Sequence, residues 1–225
     1  MHFTFRLKYE GDWDNGDFNG SGKLTLLSGD VHEGQFVKNV VQGFGSYTSA
    51  NGKYVGQWKA GKADGFGIFN FVPNNTLAYE SYEGSWKANA MHGKGTLIWI
   101  FGDRYEGQFN DNIAEGQGTY YWANGKKYIG QFRDNCNIGH GTLIFEPDDL
   151  LGRVRYEGNW EKNPASTDTI FTCGIMSGYG HMYWFDGTRY VGEFKNGLPN
   201  GYGQVFAKDG TVSQIGQWKN GRFEN

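Results

Sequence analysis

Tyr105-Glu106-Gly107-Gln108-Phe109, followed by the turn formers Asn110-Asp111-Asn112 and then by Gly116-Gln117-Gly118-Thr119-Tyr120-Tyr121-Trp122, reads as two short strands joined by a turn. Side chains alternate faces along a strand, so Tyr105, Gly107 and Phe109 share one face while Glu106 and Gln108 share the other. The second strand sets Gly116, Gly118, Tyr120 and Trp122 on one face. Ala123-Asn124-Gly125-Lys126 then closes the next turn, and Asn-Gly is a strong hairpin signal. The unit is a β-hairpin.

The same unit recurs from end to end. A glycine is followed two residues later by Trp or Phe at Gly11/Trp13, Gly34/Phe36, Gly56/Trp58, Gly84/Trp86, Gly107/Phe109, Gly130/Phe132, Gly158/Trp160, Gly192/Phe194 and Gly216/Trp218. Tyr stands two residues before that glycine except in the second and ninth units, which have His32 and Gln214. Eight units answer with a downstream Gly-x-Gly, and two residues past it the position is always apolar or aromatic (Leu24, Tyr47, Phe69, Leu97, Tyr120, Leu143, Met182, Val205). A fixed period of this kind marks a repeat architecture in which each unit buries its apolar face on its neighbours. Glycine weakens a strand interior, so its regular use there predicts a flat floor on which rings of the neighbouring strand lie.

These residues resemble the MORN (membrane occupation and recognition nexus) repeat, whose pattern is close to Tyr-x-Gly-x-Trp/Phe followed by Gly-x-Gly. The resemblance runs from Tyr9 to the end and implies an all-β fold: a single-layer antiparallel sheet of stacked β-hairpins, forming a twisted, elongated rod. With strands about 4.8 Å apart, nine hairpins would extend roughly 80–90 Å. The expected organisation is an N-terminal extra strand over 1–8 and nine repeats at 9–31, 32–53, 54–81, 82–104, 105–127, 128–155, 156–189, 190–213 and 214–225, the last truncated. Two longer repeats carry matched inserts, Phe71-Val72-Pro73-Asn74-Asn75-Thr76-Leu77 and Phe145-Glu146-Pro147-Asp148-Asp149-Leu150-Leu151, each expected to turn on its proline and Asn/Asp pair. The seventh repeat has a different insertion, over Pro164 to Ser177.

Composition narrows the function classes. A net charge of −3 argues against a nucleic-acid surface, which needs a clustered basic excess. The first ten residues lack a signal-peptide apolar core, and no later stretch is long and apolar enough to span a bilayer as a helix. Cys136 and Cys173, with no other cysteine nearby, read as free thiols in a reducing compartment, with a redox pair as the alternative should a loop fold back. The five histidines fall at unrelated repeat positions with no ligand spacing, and the Glu row (Glu10, Glu33, Glu83, Glu106, Glu157) reads as a solvated sheet face. No helix follows any Gly-x-Gly, so none is a phosphate loop. No catalytic residue, metal site or cofactor is expected.

The aromatic face remains. A single-layer sheet has no second layer to cover it, and contiguous exposed apolar surface marks an interaction site. The candidate partner-binding residues are Tyr54, Trp58, Tyr82, Trp86, Trp99, Tyr105, Phe109, Trp122, Tyr128, Phe132, Tyr156 and Trp160. The expected function is a non-enzymatic scaffold that holds a helical or extended segment of a protein partner. The resemblance implies cytoplasmic settings such as cytoskeletal, ciliary or flagellar assemblies. The runner-up reading is a phosphoinositide or membrane-surface module, which the acidic balance disfavours. A third is a regulatory partner for an enzyme on another chain.

Overall fold

A computed structural model describes residues 7–165, 171 and 173–224. Among them the chain is all strand and turn, an open antiparallel 18-stranded sheet of hairpins without a helix, as the repeat implied. Residues 1–102 with 109–112 form one compact unit, and 103–108 with 113–225 a second. The first contains β1 (Lys8–Asp14), β2 (Asp17–Thr25), β3 (Val31–Val37), β4 (Val40–Ser49), β5 (Gly52–Lys59), β6 (Lys62–Phe71), β7 (Tyr79–Lys87) and β8 (Ala90–Trp99). β9 (Arg104–Asn110) is divided between them. The second contains β10 (Ile113–Tyr121), β11 (Lys127–Arg133), β12 (Cys136–Ile144), β13 (Arg153–Lys162), β14 (Gly174–Trp184), β15 (Arg189–Lys195), β16 (Leu198–Phe206), β17 (Val212–Lys219) and β18 (Arg222–Phe223). The extra strand expected over 1–8 lies almost wholly outside the described residues, and β1 starts at Lys8.

One repeat shows why these residues form this element. Between β5 and β6, Gly56 pairs with Gly67 but Trp58 pairs with Ala63, so the register slips at Gln57. A bulge leaves a carbonyl without a ladder partner. The Tyr54 hydroxyl donates to that carbonyl, Gln57 O, at 3.0 Å. Its ring lies across Gly67, where an added Cβ would meet Tyr54 ring carbons at 2.5 Å. The predicted glycine floor is therefore real, but only the second glycine of the pair provides it. The first, Gly65, has φ +111° and packs under the Gln57 side chain, whose Oε1 accepts from Phe66 N–H at 2.6 Å. Tyr82, Tyr105, Tyr128, Tyr156 and Tyr190 donate to the equivalent carbonyls three residues on.

The turns lock each hairpin to the one before it. Ala88 and Asn89 have φ of 50° and 75°, and Asp134 and Asn135 have 51° and 62°. Positive φ at both central residues is the type I′ geometry that matches strand twist. Asn89 N–H donates to Ala63 O at 2.9 Å, while its side-chain oxygen accepts from Ala63 N–H at 2.8 Å. Asn135 clamps Ala114 in the same two-point way. The two Pro-containing inserts also turn as expected. Asn75 donates to Val72 O and Tyr79 O, and Asp149 accepts from Leu151 and Arg153 backbone N–H groups.

Two expectations need correction. The seventh-repeat loop is 163–173, since Gly174 to Ser177 continue β14 and Trp160 pairs with Met176 as Trp58 does with Ala63. Residues 166–170 and 172 of that loop lie outside the described residues. The cysteines are not free thiols: Cys136 and Cys173 form a disulfide, with Cα atoms 5.4 Å apart. Cys136 follows the Asp134-Asn135 turn on the sheet edge where the long loop emerges, so the loop folds back onto the preceding hairpin.

Candidate functional site

The aromatic face is a ladder of edge-to-face rings. Tyr54 meets Trp58 at 5.2 Å and Trp86 of the next repeat at 5.3 Å, with interplanar angles of 88° and 83°. Tyr82 stands likewise between Trp86 and Phe109, Tyr128 between Phe132 and Trp160, and Tyr156 between Trp160 and Phe194. Each such pair contributes about 0.5–1.5 kcal/mol beyond its buried area. Of the twelve sequence candidates, Tyr54, Trp58, Tyr82, Trp99, Tyr105, Phe109, Tyr128, Phe132, Tyr156 and Trp160 are buried. Only Trp86 and Trp122 are half-buried. Trp99 packs on Tyr79 at 5.7 Å, and Trp122 lies 4.7 Å from Tyr120 with the Lys126 ammonium over its ring.

Burial also sets the electrostatics of the ladder. Desolvation pushes the Tyr54 and Tyr190 hydroxyls up to about 12, and raises those of Tyr82, Tyr105, Tyr128 and Tyr156 further. The rings are therefore neutral donors at any physiological pH. His32, which stands at the Tyr position of the second repeat, lies tilted against Tyr47 at 4.5 Å, and burial lowers its pKa.

What remains open on this face lies between the repeats. In the first unit a cavity of about 330 Å³ is lined by Tyr54, Ala63, Phe69, Trp86 and Asn89, with His32, Tyr47 and Trp58 extending it. A second cavity of about 580 Å³ adjoins it across Phe69 and Trp86 and reaches Leu77 in the proline loop. Two wall atoms, His32 Nδ1 and Trp58 Nε1, are buried without a hydrogen-bond partner. By contrast, the Trp86 and Trp160 indoles donate to Gly67 O and Gly141 O.

In the second unit the matching place is filled. Tyr105, Ala114, Tyr120, Phe132 and Asn135 occupy the repeat positions of Tyr54, Ala63, Phe69, Trp86 and Asn89. Phe171, from the disulfide-closed loop, sits on Tyr105, Tyr120 and Phe132 with ring centroids 4.7, 5.4 and 5.9 Å away. It is 2% exposed, and its N–H donates to Asn135 O. Sequence reading missed Phe171, Phe69 and Asn89 as parts of this face. Phe69 was visible as the apolar position after Gly-x-Gly, and Asn89 as the recurrent turn residue; nothing in the loop sequence singled out Phe171.

The opposite face is mixed. Glu106 pairs with Arg104 and Glu157 with Arg155, at 3.1 and 2.9 Å, and pairs this exposed contribute about 0–1 kcal/mol. Phe44, Phe66, Tyr179 and Tyr202, at the middle of Gly-x-Gly, are exposed there. Among the described residues no group of three or more His, Cys, Asp or Glu could hold a metal ion.

Comparison with known proteins agrees with this geometry. A family model described as MORN repeat matches residues 9–31, 32–53, 54–76, 82–104, 105–127, 170–189, 190–212 and 215–224. Alsin from Rattus norvegicus is 32% identical over 100 residues, 42% of this chain and 6% of alsin. MORN repeat-containing protein 3 from Xenopus laevis is 36% identical over 73 residues, 31% of each chain. The chain thus aligns with less than a third of the length of these relatives. Among solved structures, the TCP10 domain of Danio rerio CPAP covers 96% of this chain and 98% of its own, at 13% identity and a TM-score of 0.30. A likeness that low carries no inference about this chain.

Proposed function

The chain belongs to the MORN repeat family, and we propose that it is a non-enzymatic scaffold that binds protein partners through the aromatic face of its hairpins. One observation carries the reading: the rings cover one another nearly completely, yet leave apolar cavities at the half-buried Trp86 that no described residue of the first unit covers. A partner's helix or extended segment laid over Phe69, Trp86 and Leu77 would bury what the sheet leaves open. Interface energy concentrates in such aromatic anchors. The setting, a cytoplasmic cytoskeletal or ciliary assembly, is part of the proposal and rests on the family resemblance alone. The Cys136–Cys173 disulfide removes the free-thiol argument for a reducing compartment.

The test compares tagged full-length protein with its Trp86→Ala and Trp122→Ala variants, purified from the native cell. A stoichiometric protein partner lost from a folded variant supports the reading. Partners retained unchanged by both variants, or bound through Phe44 and Phe66 on the other face, overturn it.

A further inference from the structure

We infer that the open cavity of the first unit is a socket for a phenylalanine presented on a loop of another protein, whose backbone N–H bonds Asn89 O. The inference rests on the scaffold reading and names the chemistry of the partner. Its basis is internal: the second unit shows the matching positions covered. There Phe171 lies on Tyr105, Tyr120 and Phe132 and donates its N–H to Asn135 O. In the first unit Tyr54, Phe69, Trp86 and Asn89 line a cavity of about 330 Å³. The wall rings are set alike, with Tyr54 5.3 Å from Trp86 and Tyr105 4.9 Å from Phe132.

The floor of each socket is the more telling match. The residue at the floor position, the partner of the repeat's Trp or Phe in the pairings of Trp58 with Ala63, Trp86 with Met91 and Trp160 with Met176, is Phe18, Val41, Ala63, Met91, Ala114, Asn137, Met176, Pro199 and Phe223 in turn. Alanine stands there only in the two sockets. Cavities of about 580 and 480 Å³ also border Met91 and Pro199, so the methyl floor is what this pair of sockets shares rather than what opens the face. An apolar cavity of about 150 Å³ already accepts a benzene-sized ring, so the first socket has room for a phenyl group and the chain bearing it. The unpartnered His32 Nδ1 and Trp58 Nε1 belong to the wall, and a peptide group brings both a donor and an acceptor.

Phe171 also shows how the ring must be delivered. Its φ is +60°, a left-handed conformation that a bulky L residue rarely adopts. Packing and the Cys136–Cys173 tether hold it there. A loop can supply that backbone geometry and a regular helix cannot, so the occupant is a loop-borne phenylalanine.

The probe is a synthetic peptide of sequence 163–173 with serine in place of Cys173 and a photoreactive benzoylphenylalanine at the Phe171 position. It is added to the disulfide-intact full chain, and crosslinks are mapped by mass spectrometry. Crosslinks within 54–91 are expected, and crosslinks elsewhere overturn the inference. The unmodified peptide should bind saturably, and at least tenfold more tightly than its Phe→Ala version, about 1.4 kcal/mol. Equal binding of the two overturns it. Ala63→Met, which copies the residue of the next repeat, should abolish binding while leaving the melting temperature nearly unchanged; binding that survives it overturns the socket. A native partner that requires Trp86 but docks without an aromatic side chain would sustain the scaffold reading and sink this one.

Discussion

Two repeats, one in each unit, build the same socket and leave it in opposite states. In the second, Phe171 covers Tyr105, Tyr120 and Phe132, and a disulfide ties its loop to the neighbouring hairpin. In the first, the space above Ala63 is open, and Trp86 is the half-buried ring beside it. The strands, the Tyr-to-carbonyl bonds and the Asn clamps are equivalent in both. A repeat scaffold thus fixes the place of a binding site, and one insertion decides whether the chain covers that place itself.

The sharpest way to break this comparison is to empty the filled socket. Phe171→Ala should destabilise the second unit by about 3–5 kcal/mol, the range for large aromatic truncations. Hydrogen exchange should localise the loss to β10–β12 and leave β5–β8 protected. A loss below ~1 kcal/mol would mean that the ring contributes little cover. Reducing the disulfide comes next. It closes a span of 37 residues and should cost about 2–4 kcal/mol, read as a lower melting temperature with reductant. The Cys136→Ser variant should melt at the same temperature with and without reductant.

Trp86→Ala should cost less than Phe171→Ala, about 1–3 kcal/mol, because the ring is only half-buried. A larger loss than at Phe171, measured by chemical denaturation, would show the first socket closed in solution. Tyr54→Phe and Tyr105→Phe each remove one hydroxyl bond to a bulge carbonyl and should cost about 1 kcal/mol alike. Unequal losses would show that the two scaffolds are not equivalent beneath their sockets.

The smallest effect per residue is alkaline. The Tyr54 hydroxyl is pushed up to about 12 by burial, against about 10 in the unfolded chain. Its contribution is fully present below about pH 10 and is lost as pH rises toward 12, because the unfolded state releases its proton first. Denaturation midpoints should fall between pH 9 and pH 11, and the Tyr54 phenolate, read as the absorbance difference between the wild type and Tyr54→Phe, should appear only as the chain unfolds. Tyr54 phenolate formed at pH 11 in the folded protein would contradict the packed ladder.

Much of this was legible in the chain. Tyr54, Gly56, Trp58 and Gly67 are a strand pattern whose spacing alone specifies hairpins, because alternation and glycine placement are local properties. The matched turns at Asn75 and Asp149 were legible for the same reason. The cysteines were not: Cys136 and Cys173 are 37 residues apart, and only the fold of the loop brings their sulfurs together. The burial of the candidate rings was also hidden. Alternation puts Tyr82 and Trp86 on one face, but the edge-to-face distances that bury the first and expose part of the second come from packing.

By itself, then, the sequence determined the repeat, its hairpins, the positions of the glycine floors and the identity of the aromatic face, since each follows from side-chain period and backbone preference within some twenty residues. Tertiary structure alone decided that the glycine of the floor is the second of each pair, that the cysteines join, and that Phe171 reaches back to a hairpin two repeats earlier. Those outcomes depend on contacts between residues distant in the chain, whose entropy of closure is offset only when several surfaces fit at once.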